Sequence, residues 1–166
     1  SLLDVISAVT AVYLITADLP ADSEIRTRYE YTEISSRGAG TDILVMAVRF
    51  LRNQLRLTRA MINRDEDIVL VFGATSYLLP ILVARLVGRD VLVEPRGDVP
   101  LTLRLNWDQR WPTPIARFAA ALVGGLERMS FNLASGVVTY TPSMARELGI
   151  DPESETVFPS GARYVR

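Results

Sequence analysis

Apolar positions along this chain gather into short runs separated by stretches of helical period. Ile68 to Phe72 (IVLVF) is continuously apolar, the pattern of a strand covered on both faces. Ala11 to Ile15 (AVYLI) reads as a buried strand and Val91 to Glu94 (VLVE) as another. VVTYT from Val137 and TVF from Thr156 complete the set. Tyr29 to Ile34 (YEYTEI) alternates aromatic and polar residues, which predicts a strand near an edge. From Thr41 to Asn63 the period becomes helical, with Thr41 or Asp42 as N-cap. Leu44, Val48, Leu51, Leu55 and Ile62 share one face, and Arg49, Arg52, Arg56 and Arg59 form a stripe on another. Thr75 to Leu86 reads as a helix closed by Gly88, Ile115 to Leu133 as a long one weakened by Gly124-Gly125, and Pro142-Ser143 opens a short one. Leu101 to Pro114 takes no clear assignment, because Pro112 and Pro114 end whatever helix it holds.

Strand, helix and strand repeat at helix-length spacing. The expected fold is α/β: a Rossmann-like, mostly parallel sheet with helices on both faces, in a single domain. Such sheets bind ligands beyond the carboxyl ends of their strands. Three loops then share one rim: Gly73-Ala74-Thr75, Arg96-Gly97-Asp98 and Thr141-Pro142-Ser143. Arg-Gly-Asp also spells an adhesion tripeptide, but an adhesion loop needs a long exposed hairpin, and Val91 to Val93 does not suggest one.

Composition narrows the chemistry. The 166 residues are 49% hydrophobic with a net charge of −1, so no basic field points to nucleic acid. There is no Cys, His or Lys, and all 18 basic residues are Arg. This excludes a Walker-type lysine, Schiff-base catalysis, the usual zinc sites and imidazole-assisted nucleophiles. Carboxylates, hydroxyls, Arg and backbone donors remain, and neither a metal nor a cofactor is expected. Residues 2 to 17 carry Asp4 and no leading Arg, unlike a signal peptide. The uncharged run Ile68 to Ala84 is broken by Gly73 and Pro80, so a buried strand, turn and helix fit it better than a membrane span.

Several patterns admit a second reading. SSRGAGTD follows a strand and opens a helix, but Ile43 stands where a dinucleotide fingerprint has its third glycine. A plain helix start fits better, although its free amides could hold a phosphate. The Arg stripe is either a solvated face or a surface for anionic lipid. Trp107 and Trp111 read first as core packing and second as a platform for sugar rings. Glu147 and Glu155 have E-x7-E spacing, but Gly149 and Pro152 break any helix between them.

The ordered series DIVLVFGATSYLLPILVARLVGRDVLVEPRGD, GVVTYTPSMAREL and TVFPSGARYV resembles the N-terminal half of glycosyltransferase family 4 enzymes, which have the two-lobed GT-B fold. The resemblance covers roughly residues 67 to 164. It implies an acceptor-binding lobe, with a nucleotide sugar held chiefly by a C-terminal lobe beyond Arg166 and a first strand missing before Ala11. Arg96, Gly97 and Asp98 would face the cleft, with Gly73, Thr75, Thr141 and Ser143 shaping its rim. Pro159, Ser160 and Gly161 would match the turn leading to the second lobe, with Ser160 where the family has Asn. The acceptor would be a sugar, a lipid or another hydroxyl compound. Expected location is the cytoplasm, at the inner face of the membrane if Arg49, Arg52, Arg56 and Arg59 contact lipid. The alternatives are a non-enzymatic Rossmann-like binding module and a membrane-surface domain.

Overall fold

A row of four valines sets the centre of the larger sheet of this molecule. In the computed structural model, which describes residues 2–17, 19–35, 43–73 and 75–159, Val71, Val93, Val137 and Val157 lie side by side across four parallel strands. All four are buried. Segment 36–42 with the expected Thr41 or Asp42 cap, Ala74, and Ser160 and Gly161 fall outside the described residues. Contacts group the chain into two compact units, Ser1–Asp65 and Glu66–Arg166, both built from parallel strands and helices as the α/β reading expects.

In the first unit, a short helix α1 (Leu2–Ser7) precedes β1 (Tyr13–Ala17), which pairs in parallel with β2 (Glu30–Ser35) through the one-turn helix α2 (Ile25–Arg28). Arg26 staples this crossover. Its guanidinium donates to the Leu19 carbonyl at 2.6 Å, to the Pro20 carbonyl at 3.0 Å and to the Glu33 carboxylate at 3.1 Å. Helix α3 (Ile43–Ile62) packs on the strand pair, and the Arg64 guanidinium just past its end stacks over the Tyr13 ring at 3.8 Å. Leu44, Val48, Leu51, Leu55 and Ile62 do share a face, and that face is exposed. The helix instead buries Gln54, Thr58 and Met61. Thr58 fits there because its hydroxyl donates to the Gln54 carbonyl, one turn back.

The second unit holds the sheet β3 (Ile68–Phe72), β4 (Asp90–Glu94), β5 (Gly136–Thr139) and β6 (Val157–Pro159), hydrogen-bonded in that order. β3 is followed by α4 (Leu78–Leu86) and β4 by α5 (Val99–Asp108) and α6 (Thr113–Leu133); α7 (Pro142–Glu147) follows β5. The valine row is one face of this sheet, and each buried valine contributes roughly 1.5–3 kcal/mol. Ile81 and Ala84 of α4 are buried, as are Ala116, Ala120 and Phe131 of α6. The other face differs from the two-sided cover that IVLVF suggests: Ile68, Leu70 and Phe72 stay 37–63% exposed. β3 is also the edge strand of its sheet.

Two local fits hold this unit in register. Ser135 clamps the start of β4 to β5: its backbone N–H donates to the Val91 carbonyl at 2.8 Å and its hydroxyl accepts from the Val91 N–H at 3.1 Å. The Gly124-Gly125 pair does not break α6, which runs unbroken through it. A Cβ at Gly124 would meet the Pro100 ring at 3.2 Å, so the glycine lets α5 lie close. Trp107, buried on α5, stacks on Trp111 with centroids 4.9 Å apart, in accord with the core-packing reading of that pair.

Candidate functional site

Because β3, β4, β5 and β6 run parallel, their carboxyl ends lie along one edge, and the three loops picked out in the sequence follow the first three strands. After β3 the chain turns at Gly73, whose φ of 73° is left-handed, and the Gly73 N–H donates to the Glu94 carbonyl at 3.1 Å. This ties the first two loops together. The Arg96 side chain runs back across the same spot. Its Cδ lies 3.6 Å from where a Gly73 Cβ would stand, and its guanidinium sits 3.8 Å over the Phe72 ring. An exposed cation parked on an aromatic face gains only about 0.5–1 kcal/mol, so Arg96 can leave it for a stronger anionic or hydroxyl partner.

Gly97 has a φ of 147° and open space around the position of a Cβ, so backbone conformation and not crowding favours glycine there. Asp98 has a different task from Arg96. It is the N-cap of α5, where its carboxylate accepts the Leu101 N–H at 2.8 Å while its carbonyl accepts the Thr102 hydroxyl at 2.9 Å. The charges that flank Gly97 are therefore not an ion pair with each other: one crosses Phe72 and the other caps a helix.

After β5, Thr141 caps α7 by accepting the Met144 N–H at 3.2 Å, and its hydroxyl bonds the exposed Ser143 hydroxyl at 2.9 Å. Pro159 is the last residue of β6 and is exposed. Thr75 faces inward. It is 1% exposed, and its hydroxyl donates to the carboxylate of Glu127. Thus Gly73 and Arg96 meet, Thr141 and Ser143 meet, and Thr75 belongs to a buried pair beneath the rim.

Two carboxylates absent from the sequence-derived set lie in this region. Glu127, on α6, is 3% exposed. Burial raises its carboxyl above the ordinary value; the Thr75 hydroxyl works the other way, and the nearby Asp98 charge adds to the rise. Glu127 falls on the helical stripe of Ala116, Ala120 and Phe131, so a carboxylate on an apolar face was the available signal. Glu94 ends β4 at 2% exposure, and its Oε1 meets no hydrogen-bond donor among the described residues. Leaving such an atom buried costs roughly 1–3 kcal/mol. Its signal was a charge at the last position of a β-branched run. Among the described residues no group of three or more His, Cys, Asp or Glu side chains could hold a metal.

The first unit offers a different feature, an open hollow of about 550 Å³ lined in part by Thr32, Ser35, Arg56, Arg59 and Asn63. Arg56 there already donates to the Ile34 carbonyl at 2.8 Å, and Arg59 is exposed. Chemistry concentrates instead at the rim of the second unit. In comparisons with models of protein families, with curated proteins and with solved structures, the chain gives no significant match.

Two measurements check this layout. Asp98→Ala removes a cap and is expected to cost about 1 kcal/mol in urea unfolding, whereas Arg96→Ala stays within about 0.5 kcal/mol of the parent. For Glu127 the folded-state pKa lies above the unfolded one, so the folded state binds its proton more tightly. Its contribution to stability is then greatest at acid pH and falls as pH rises from the ordinary carboxylate range through the raised value. Glu127→Gln keeps an acceptor for Thr75 and removes that fall. The stability of the parent relative to this variant should decline as pH rises above the ordinary carboxylate range, and a difference that stays flat would contradict the upward shift.

Proposed function

We propose that this chain is the acceptor-binding lobe of a sugar-transferring enzyme of the GT-B type, in which a glycosyl group passes from a nucleotide sugar to a hydroxyl acceptor. The observation that carries the reading is the meeting of Gly73 and Arg96 at the carboxyl ends of adjacent parallel strands. A bare backbone turn lies there beside an exposed guanidinium, with open space at Gly97. Arg96 offers a bidentate donor for phosphate or carboxylate and hydrogen bonds for hydroxyls. The exposed Ser143 hydroxyl lies on the same edge. The ordered likeness to the N-terminal half of family 4 glycosyltransferases supports the same assignment, as does the absence of imidazole, thiol and amine. Transfer of this kind proceeds by positioning and by stabilising a leaving diphosphate, tasks that need no such nucleophile. The donor would be held chiefly by a second lobe. A non-enzymatic binding module would use the same rim without transfer.

One feature of the first unit favours a second reading, contact with a membrane surface. On α3 the exposed Leu44, Val48, Leu51, Leu55 and Ile62 run beside Arg52, Arg56 and Arg59, with Arg49 on the same flank, and the helix carries no acidic residue. An apolar stripe edged with Arg suits the headgroup layer of anionic lipid, which is richest on the cytoplasmic face of the cell membrane. No helix among the described residues is long and apolar enough to cross a bilayer.

Titration calorimetry of the chain with a panel of nucleotide sugars is expected to show no saturation below the millimolar range. Micromolar affinity would overturn the assignment of the donor to another lobe. Vesicle sedimentation separates the second reading: anionic vesicles should retain the protein at low salt and release it at high salt. Equal retention by neutral vesicles would reduce the Arg stripe to a solvated face.

A further inference from the structure

Glu94 stands at a position where a carboxylate is costly. It ends the second strand of a four-stranded parallel sheet, 2% exposed, with Oε1 lacking a donor among the described residues. A buried ionisable group usually brings its partners with it, as Glu127 does with Thr75. Glu94 does not, and the core does not require it. The buried valine row is the opposite face of β4, since side chains alternate along a strand. Its register partner on β3 is Phe72, the ring beneath the Arg96 guanidinium, and its own carbonyl accepts the Gly73 N–H. The carboxylate therefore sits at the root of the same loops that carry the rim.

We propose that Glu94 is a ligand-binding residue of this rim, whose Oε1 accepts a hydrogen bond from a hydroxyl of a bound sugar or polyol. A neutral hydroxyl fits better than an amine. The Arg96 guanidinium lies over the ring of Phe72, the register partner of Glu94, and a cation on that part of the rim disfavours a cationic ligand, leaving hydroxyl donors as the partners a carboxylate can take. Arg96 and Glu94 would then divide a hydroxyl-rich ligand between them, one donating and one accepting. This rests on the acceptor-lobe reading and adds to it the residue that selects hydroxyl donors. A residue kept for a ligand at the expense of the fold should also stabilise the protein when replaced.

The test compares the 166-residue chain with Glu94→Gln and Glu94→Met, using thermal unfolding and NMR titration with D-glucose, D-mannose and D-galactose as probes. Both variants are expected to melt at or above the parent temperature. The parent is expected to bind at least one hexose, Glu94→Gln to bind it more weakly and Glu94→Met to lose it by about tenfold or more. If both variants melt several degrees lower, Glu94 is a structural group and the proposal falls whatever the sugars do. If the parent binds a hexose and Glu94→Met binds it equally, the proposal falls while the acceptor reading stands. If no probe perturbs the parent spectrum, the proposal falls, while the acceptor reading, which also admits a lipid or another hydroxyl compound, stands.

Discussion

Four strands that run the same way cannot be joined by tight turns. Each must be carried back across the sheet by a crossover, and that single constraint organises the second unit of this protein. It places every strand end of one polarity along one edge and every start along the other. The two edges accordingly differ in chemistry. At the starting edge, Arg85, Asp90 and Ser135 lock together through short hydrogen bonds, and the Asp90 N–H closes on the Asp67 carbonyl. At the finishing edge the loops are held by glycine geometry and helix caps, leaving Arg96 and Ser143 side chains exposed. The first edge is satisfied internally and the second presents polar groups outward.

The finishing edge also separates polar groups with a firm structural partner from those without one. Asp98 and Thr141 spend their side chains on helix N-termini, and Thr75 spends its hydroxyl on Glu127. Arg96 has only a weak stacking partner, and Glu94 an oxygen without a donor among the described residues. Residue type alone does not make this division, since Asp98 and Glu94 are both carboxylates four positions apart. What differs is whether backbone N–H groups stand within reach. A helix beginning at Val99 supplies them to Asp98, whereas the interior of a sheet face supplies none to Glu94.

Much of the fold was legible because parallel sheets are written in runs of β-branched residues and their crossovers in helical period. IVLVF, VLVE and the helix through Phe131 could be located from spacing alone. The short helices α1 and α2 could not, since neither spans enough residues to show a period. Helix α5 went unassigned because Pro112 and Pro114 interrupt the pattern after it, although Pro100 sits in its first turn, where a missing N–H costs nothing, just after an Asp suited to capping. For α3 the period located the helix without revealing which face the strands would bury. Gln54 and Thr58 face inward while Leu51 and Leu55 are exposed, and no count of apolar residues anticipates that. The rim loops could be named from their place after strands, but the tasks of Asp98, Thr75, Glu94 and Glu127 depend on neighbours distant in sequence.

The crossover between β4 and β5 has a consequence for how the chain reaches its native state. β3, α4 and β4 are close in sequence and can assemble early, but β4 must wait for two helices to be made and folded before β5 arrives to pair with its other side. During that interval the Val91 to Glu94 segment presents an unpaired, apolar strand edge. Non-local pairing of this kind is slow, and such an edge is a template for intermolecular association. The close approach of Pro100 to Gly124 bears on that interval. It lets α5 and α6 lie tightly on each other, so a glycine in a helix interior sets how compact the chain is between the two strands it must join.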